Sequence, residues 1–310
     1  MSSPTSATAV MVPRRRRRAR RLRAALPFLG PALVAYVVFV LYPMVESIRL
    51  SFFEWSGFVG AEQTFVGMRN YVRLFTQDTV FWTALGNSVI WVALSLAVPM
   101  LLSLAFAVAL DRKLPGRALF RTVFYVPGVL ATIAVANIWR WIYNPRYGVS
   151  ESLAQTLGLE WLQGIQWLGD ADIALYAIFG AFVWQAVGTN MVLFLAGLQS
   201  VPPELKEAAA LDGAGAWQRF RNVTLPSLRP TMVVVVVLTF IGSIKVFDLI
   251  VGMTGGGPAQ QTQVLALWSY QLSFANNQYG MGNAVATVLL ILVIAVVVPY
   301  MLWTARREQS

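Results

Sequence analysis

The chain contains no cysteine, no histidine and only three lysines in 310 residues. Without cysteine there is no disulfide, no thiolate nucleophile and no thiolate metal site. Without histidine there is no imidazole base and no His-ligated zinc. None of Lys113, Lys206 and Lys245 follows a glycine, so the phosphate-cradling Gly-Lys-Ser/Thr loop of an ATPase is absent. Charge of either sign is scarce. Asp, Glu, Lys and Arg make up 12% of the chain, against about 25% in a soluble domain. No cluster of carboxylates suggests a membrane-face enzyme. No strong internal repeat of the kind common in secondary carriers is visible either.

In place of charge there are long apolar runs, and 57% of residues are hydrophobic. A bilayer core of about 30 Å needs about 20 apolar residues in a helix. Six stretches qualify: Pro27–Val45, Val89–Leu110, Thr122–Trp139, Ile173–Leu198, Thr231–Gly252 and Ala284–Thr304. Lys245 and Asp248 are the only charges in the fifth, and the other five carry none. The expectation is an all-α membrane protein of six transmembrane helices in one domain. A basic tail (1–26) precedes the spanning region (27–305), and a short tail (306–310) follows it.

The net charge of +10 raises the possibility of a nucleic-acid partner, but its placement indicates a bilayer. Arg14–Arg18, Arg20, Arg21 and Arg23 precede the first run. With both termini cytoplasmic, eighteen of the 24 Lys and Arg residues fall inside, as the positive-inside rule requires. The first apolar run is long for a signal peptide and ends in no small-residue cleavage site. The expected location is the cell membrane, multi-pass, with no nucleic acid bound. Trp55, Trp82, Trp141, Tyr143, Trp161 and Trp167 lie in or near the outer segments, as interfacial aromatics do.

The inner segment 200–230 has a structure of its own. Pro203 suits a first helical turn, and Leu205 to Ala210 are strong helix formers. Gly213 can accept the left-handed conformation of a C-cap. A second short helix, about Ala216–Val223, is expected to end before Pro226. Trp217 and Phe220 offer apolar anchors three residues apart, with Glu207, Asp212, Arg219 and Arg221 around them. These residues fit docking into a partner's groove, and they fit equally an amphipathic connector lying on the bilayer.

The spacing Glu207-Ala208-Ala209, Asp212-Gly213-Ala214, Phe220, Leu225-Pro226 and Pro230 resembles the EAA loop of permease subunits in binding-protein-dependent ABC importers. The resemblance runs along nearly the whole chain and narrows to the carbohydrate, maltose-permease-like branch. Its further marks include Tyr42-Pro43, Asn70-Tyr71, Ile138-Trp139-Arg140-Trp141-Ile142-Tyr143, Trp184-Gln185, Phe247-Asp248-Leu249-Ile250 and Thr254-Gly255-Gly256-Gly257-Pro258. That last string is typical of the first of two paired permeases.

The resemblance implies a type I ABC importer permease fold, with Glu207, Ala208, Ala209, Asp212, Gly213, Ala214, Phe220, Leu225 and Pro226 coupling to an ATPase. It implies no catalytic residue, no metal and no cofactor on this chain, with ATP and Mg bound by the partner. The implied partners are a second permease in a heterodimer, two cytoplasmic ATPase subunits, an extracytoplasmic solute-binding protein and a carbohydrate. The binding protein would dock near the loops around Arg146 and 254–263.

Within the membrane, Trp184, Gln185, Thr189, Asn190, Ser243, Lys245 and Asp248 are candidates for a substrate pathway. Intramembrane polar groups either hydrogen-bond across helices or mark a path. Thr189 and Ser243 match sugar-lining positions of the family. Lys245 is unusual there, and an outward-snorkelling role for it and Asp248 remains open.

Overall fold

The computed structural model describes residues 29–111, 115–244 and 246–307. The basic tail, the first two residues of the expected first span, Arg112, Lys113, Leu114, Lys245 and the last three residues lie outside the described residues. Among the described residues, four helices are long and apolar enough to cross a bilayer: α1 (Leu29–Leu50), α3 (Thr79–Asp111), α7 (Ala174–Gln199) and α13 (Tyr279–Arg307). Two bent pairs bring the number of candidate spans to as many as six: α4 (Arg117–Val129) with α5 (Thr132–Ile142), and α9 (Ala216–Ser227) with α10 (Arg229–Ile244). Shorter elements fill the connections: α2 (Arg69–Thr76), α6 (Val149–Thr156), α8 (Pro203–Leu211), α11 (Phe247–Met253) and α12 (Leu265–Tyr270). The only sheet among the described residues is a two-stranded antiparallel one, Phe53 opposite Phe65 and Glu54 opposite Thr64. The ends of the bundle are called inner and outer by the arginine distribution.

Three expected spans change shape. The second begins at Thr79, ten residues earlier than its apolar run, because Thr79–Ser88 belongs to the same continuous helix. The third is not straight. Leu130 and Ala131 are extended (ψ 143° and 136°), and the axis turns by 104°. Pro127 and Gly128, just ahead of the turn, are the sequence signal for it. The fifth is divided: α10 stops at Ile244 and α11 starts at Phe247.

Two prolines sit inside helices that wider turns make room for. The Tyr42 N–H donates to the Val37 carbonyl, and the Leu225 N–H to the Phe220 carbonyl. Both bonds reach five residues back, and Pro43 and Pro226 follow directly. A proline ring clashes with the carbonyl four residues before it in a regular helix, so a π turn relieves the clash. Hence the second inner helix runs through Pro226 to Ser227 instead of ending before it.

Lipid tails are as apolar as leucine, so close packing must hold membrane helices together. Buried side chains form three clusters along the bundle. The outer one gathers Tyr71, Leu74, Phe81, Trp268 and Met281. The middle one gathers Trp91, Val135, Ile178, Leu249 and Ile250. The inner one gathers Ala107, Met191, Phe194, Leu228 and Val235. Helix α7 is the centre, packing on α3, α4 and α10. Gly188 allows its approach to α4, since a Cβ there would collide with the Phe124 carbonyl. Helix α1 is different: its apolar window buries nothing against the rest of the chain. It joins the bundle at its outer end, where the Ser47 hydroxyl donates to Asn283 (2.6 Å).

Candidate functional site

Helix α8 begins at Pro203, whose missing N–H costs nothing in a first turn. It ends in a Schellman motif. The Ala214 N–H donates to the Ala209 carbonyl (2.9 Å) and the Gly213 N–H to the Ala210 carbonyl (3.1 Å). Gly213 sits at φ +80°, the left-handed conformation this cap needs. The chain then re-enters a helix at Ala216, where the Gln218 side chain accepts the Gly215 N–H (2.8 Å). The product is a helix–turn–helix whose Glu207, Ala208, Asp212 and Gly213 are exposed, while Ala209 and Ala214 are half-buried.

This element is fixed to the end of α3. Lys206 lies 4.0 Å from Asp111, and the same end of α3 is held separately to α4, whose Arg121 donates to the Leu110 carbonyl (2.9 Å). An exposed ion pair contributes roughly 0–1 kcal/mol. The guanidinium at a helix C-terminus adds a hydrogen bond and a favourable dipole interaction.

The aromatic pair faces elsewhere. Trp217 and Phe220, 5.6 Å apart, line a groove of about 400 Å³ with Leu101, Leu104, Ala105 and Val108 of α3. Trp217 is still 69% exposed. These rings therefore lie along the apolar flank of α3, as a membrane-lying connector requires. The charged end of α8 is the part presented away from it. Leu225 and Pro226 are half-buried at the π turn leading into α10.

The polar residues of the spans divide into two groups. The Gln185 amide donates to the Leu130 carbonyl (3.0 Å), the group freed by the bend between α4 and α5. A backbone carbonyl unpaired within hydrocarbon costs several kcal/mol, so this bond lets the helix break at depth. Asn190 is buried and donates to Thr239 of α10 (3.0 Å). Ser243 is buried and donates to the Phe240 carbonyl of its own helix (2.8 Å). Trp184, Thr189 and Asp248 remain exposed. Trp184 lines a nearly apolar groove of about 230 Å³ with Phe106, Phe124 and Pro127. Thr189 lies beside Gly128. The six described candidates are thus not gathered in one cavity, and the seventh, Lys245, lies outside the described residues.

The outer end carries constructions that sequence reasoning missed. Asn87 of α3 donates both amide hydrogens to loop carbonyls, Gln261 (2.7 Å) and Gln263 (2.8 Å). Gly255 and Gly256 have φ +63° and +96°, and Thr254 shares a hydrogen bond with Thr262 (2.8 Å). The glycine string is a tied-down turn at the end of α11. Nearby, Tyr143 donates to the Ala177 carbonyl (3.1 Å), and burial pushes its hydroxyl pKa up to about 12. It therefore stays a donor at any physiological pH. No signal short of the tertiary contacts marks Asn87.

Among the described residues, no group of three or more His, Cys, Asp or Glu could hold a metal ion.

Comparisons with known proteins agree with this architecture. Residues 100–307 match the family described as the inner membrane component of binding-protein-dependent transport systems. A probable ABC transporter permease of Pyrococcus horikoshii is 38% identical over 94% of this chain and 99% of its own. The trehalose/maltose transport system permease protein MalF of Thermococcus litoralis is 33% identical over 87% of this chain and 90% of its own. The multiple sugar-binding transport system permease protein MsmF of Streptococcus mutans is 36% identical over 86% and 90%. A solved bacterial ABC transporter chain, from the importer of the acidic polysaccharide alginate, superposes with a TM-score of 0.81. It covers 95% of this chain and 99% of its own at 21% identity, which establishes the shared type I importer permease fold. The chain is a multi-pass membrane protein of the binding-protein-dependent transport family, a permease subunit of an ABC importer.

Proposed function

We propose that this chain is one of two permeases in an importer that moves a sugar or related carbohydrate by alternating access. Two separate ATPase subunits drive it, and an extracytoplasmic solute-binding protein delivers the substrate. Both termini and α8 are on the cytoplasmic side. The observation that carries this reading is α8 itself, an exposed helix capped by Gly213 and tied through Lys206 to the 33-residue helix α3. A push on α8 from an ATPase reaches the membrane through that connection and through the π turn into α10. Glu207, Ala208, Ala209, Asp212 and Gly213 make the contact. Relatives named for trehalose, maltose and multiple sugars support the carbohydrate class.

For the substrate path, Trp184, Thr189 and Asp248 are the residues free to meet a sugar. Gln185 and Asn190 hold the helices around them, and Ser243 is buried and bonded within its own helix. The binding of ATP and Mg belongs to the partner ATPases, because this chain has no Gly-Lys pair to cradle phosphates.

The test is reconstitution with the cognate permease, ATPase and binding protein in vesicles. ATP-dependent, binding-protein-dependent uptake of a labelled sugar is expected. Uptake driven by an ion gradient without ATP would overturn the reading.

A further inference from the structure

At the outer end, a cavity of about 320 Å³ lies between the end of α5, the loop 166–169 and the end of α11. Arg140, Asn144, Gln166, Trp167 and Met253 are among its lining residues. The arginine is exposed, and its one hydrogen bond is a long one to the Gly252 carbonyl (3.5 Å). The three ion pairs among the described residues leave it out. Asp170, the nearest acid in sequence to the cavity wall, accepts the Asp172 N–H (2.9 Å) instead.

The two amides beside it are oriented or free. The Asn144 oxygen accepts the N–H groups of Arg146 (2.9 Å) and Tyr147 (3.3 Å). That orientation leaves its NH2 without a partner among the described residues, and the Gln166 amide has none either. The cavity therefore offers a planar cation outside every ion pair among the described residues, with the NH2 groups of Asn144 and Gln166 beside it as donors. A carboxylate, which only accepts, is complementary to this set. A neutral sugar would leave the Arg140 charge without a counter-charge. One face of Trp167 is already spent on Tyr143, with ring centres 5.5 Å apart and planes at 27°.

We propose that this cavity receives an acidic side chain of the solute-binding protein when that protein docks. The proposal rests on the importer reading above. The seated carboxylate touches the ends of α5 and α11 at once. Gly252 packs against Ile133 and Ala136 in the first half of α5, and its carbonyl accepts the long hydrogen bond from Arg140, so α11 already lies along α5. Docking at this point holds both segments flanking the broken spans in one arrangement.

The test uses the complete transporter in vesicles with purified binding protein, sugar-loaded and sugar-free. ATP hydrolysis is followed as the binding-protein concentration rises. Arg140→Glu should raise the half-stimulating concentration about ten-fold or more, with Arg140→Lys between it and the wild type. Basal hydrolysis without binding protein should not change. An Asp/Glu→Lys change on the binding protein's docking face should restore Arg140→Glu and not Arg140→Ala. An unchanged half-stimulating concentration in Arg140→Glu overturns the proposal. So does a loss confined to the apparent affinity for sugar, which would assign the cavity to a substrate carboxylate. A wild-type transporter that no binding protein stimulates would refute the importer reading itself, whatever Arg140 does.

Discussion

A substitution series at Gly213 tests the coupling element through its backbone alone. The residue is at φ +80°, and a Cβ added there meets nothing within 4 Å. Sterics against neighbours are therefore absent, and the cost is conformational. For alanine the left-handed region costs roughly 1–2 kcal/mol. That shifts the capped population by a factor of about five to thirty. Asparagine visits this region with less penalty and is a natural substitute at this cap position. Proline fixes φ near −65° and also removes the N–H that donates to Ala210, which together cost about 3 kcal/mol or more. Uptake into vesicles with matched subunit content should fall in the order Gly, Asn, Ala, Pro. Hydrolysis of ATP should persist in the proline variant while uptake is lost, because the ATPase sites are on other chains. Wild-type uptake by Gly213→Pro would refute the coupling role of this turn.

Gly188→Ala drives a methyl into the Phe124 carbonyl, whereas Gly86→Ala adds one to open space. The first should lower the melting temperature of the purified permease clearly, and the second should leave it within error. Gln185→Leu strands the Leu130 carbonyl at the bend and should destabilise by about 1–3 kcal/mol, read as a drop in detergent resistance. Equal stability to the wild type would show that the carbonyl has another partner. Asn87→Ala removes the two hydrogen bonds that tie the 254–263 loop to α3, so amide exchange should speed up at Thr262 and Gln263 and stay unchanged in α7.

The apolar runs and their arginine bias were enough for a membrane protein of about six spans, since length and hydropathy decide insertion segment by segment. Residues of the inner loop were equally legible: Pro203 opens its helix and Gly213 closes it, each by a local backbone rule. Where those rules met a longer-range partner, sequence reading stopped. The 104° bend at Leu130 follows from Pro127 and Gly128, but a break at depth is stable only because Gln185, 55 residues away, bonds the freed carbonyl. The same distance problem hid the true work of Asn190, which is spent on Thr239, and the anchoring role of Asn87. Trp217 and Phe220 have the spacing of a docking face, and the tertiary structure adds that they line a groove with α3 while Trp217 stays 69% exposed. Composition and local propensity determined that the chain is a bundle of apolar helices long enough to span a bilayer. Only the tertiary structure decided which polar groups are already satisfied, and hence which remain free to meet a substrate or a partner, because a hydrogen bond between helices depends on where both chains lie.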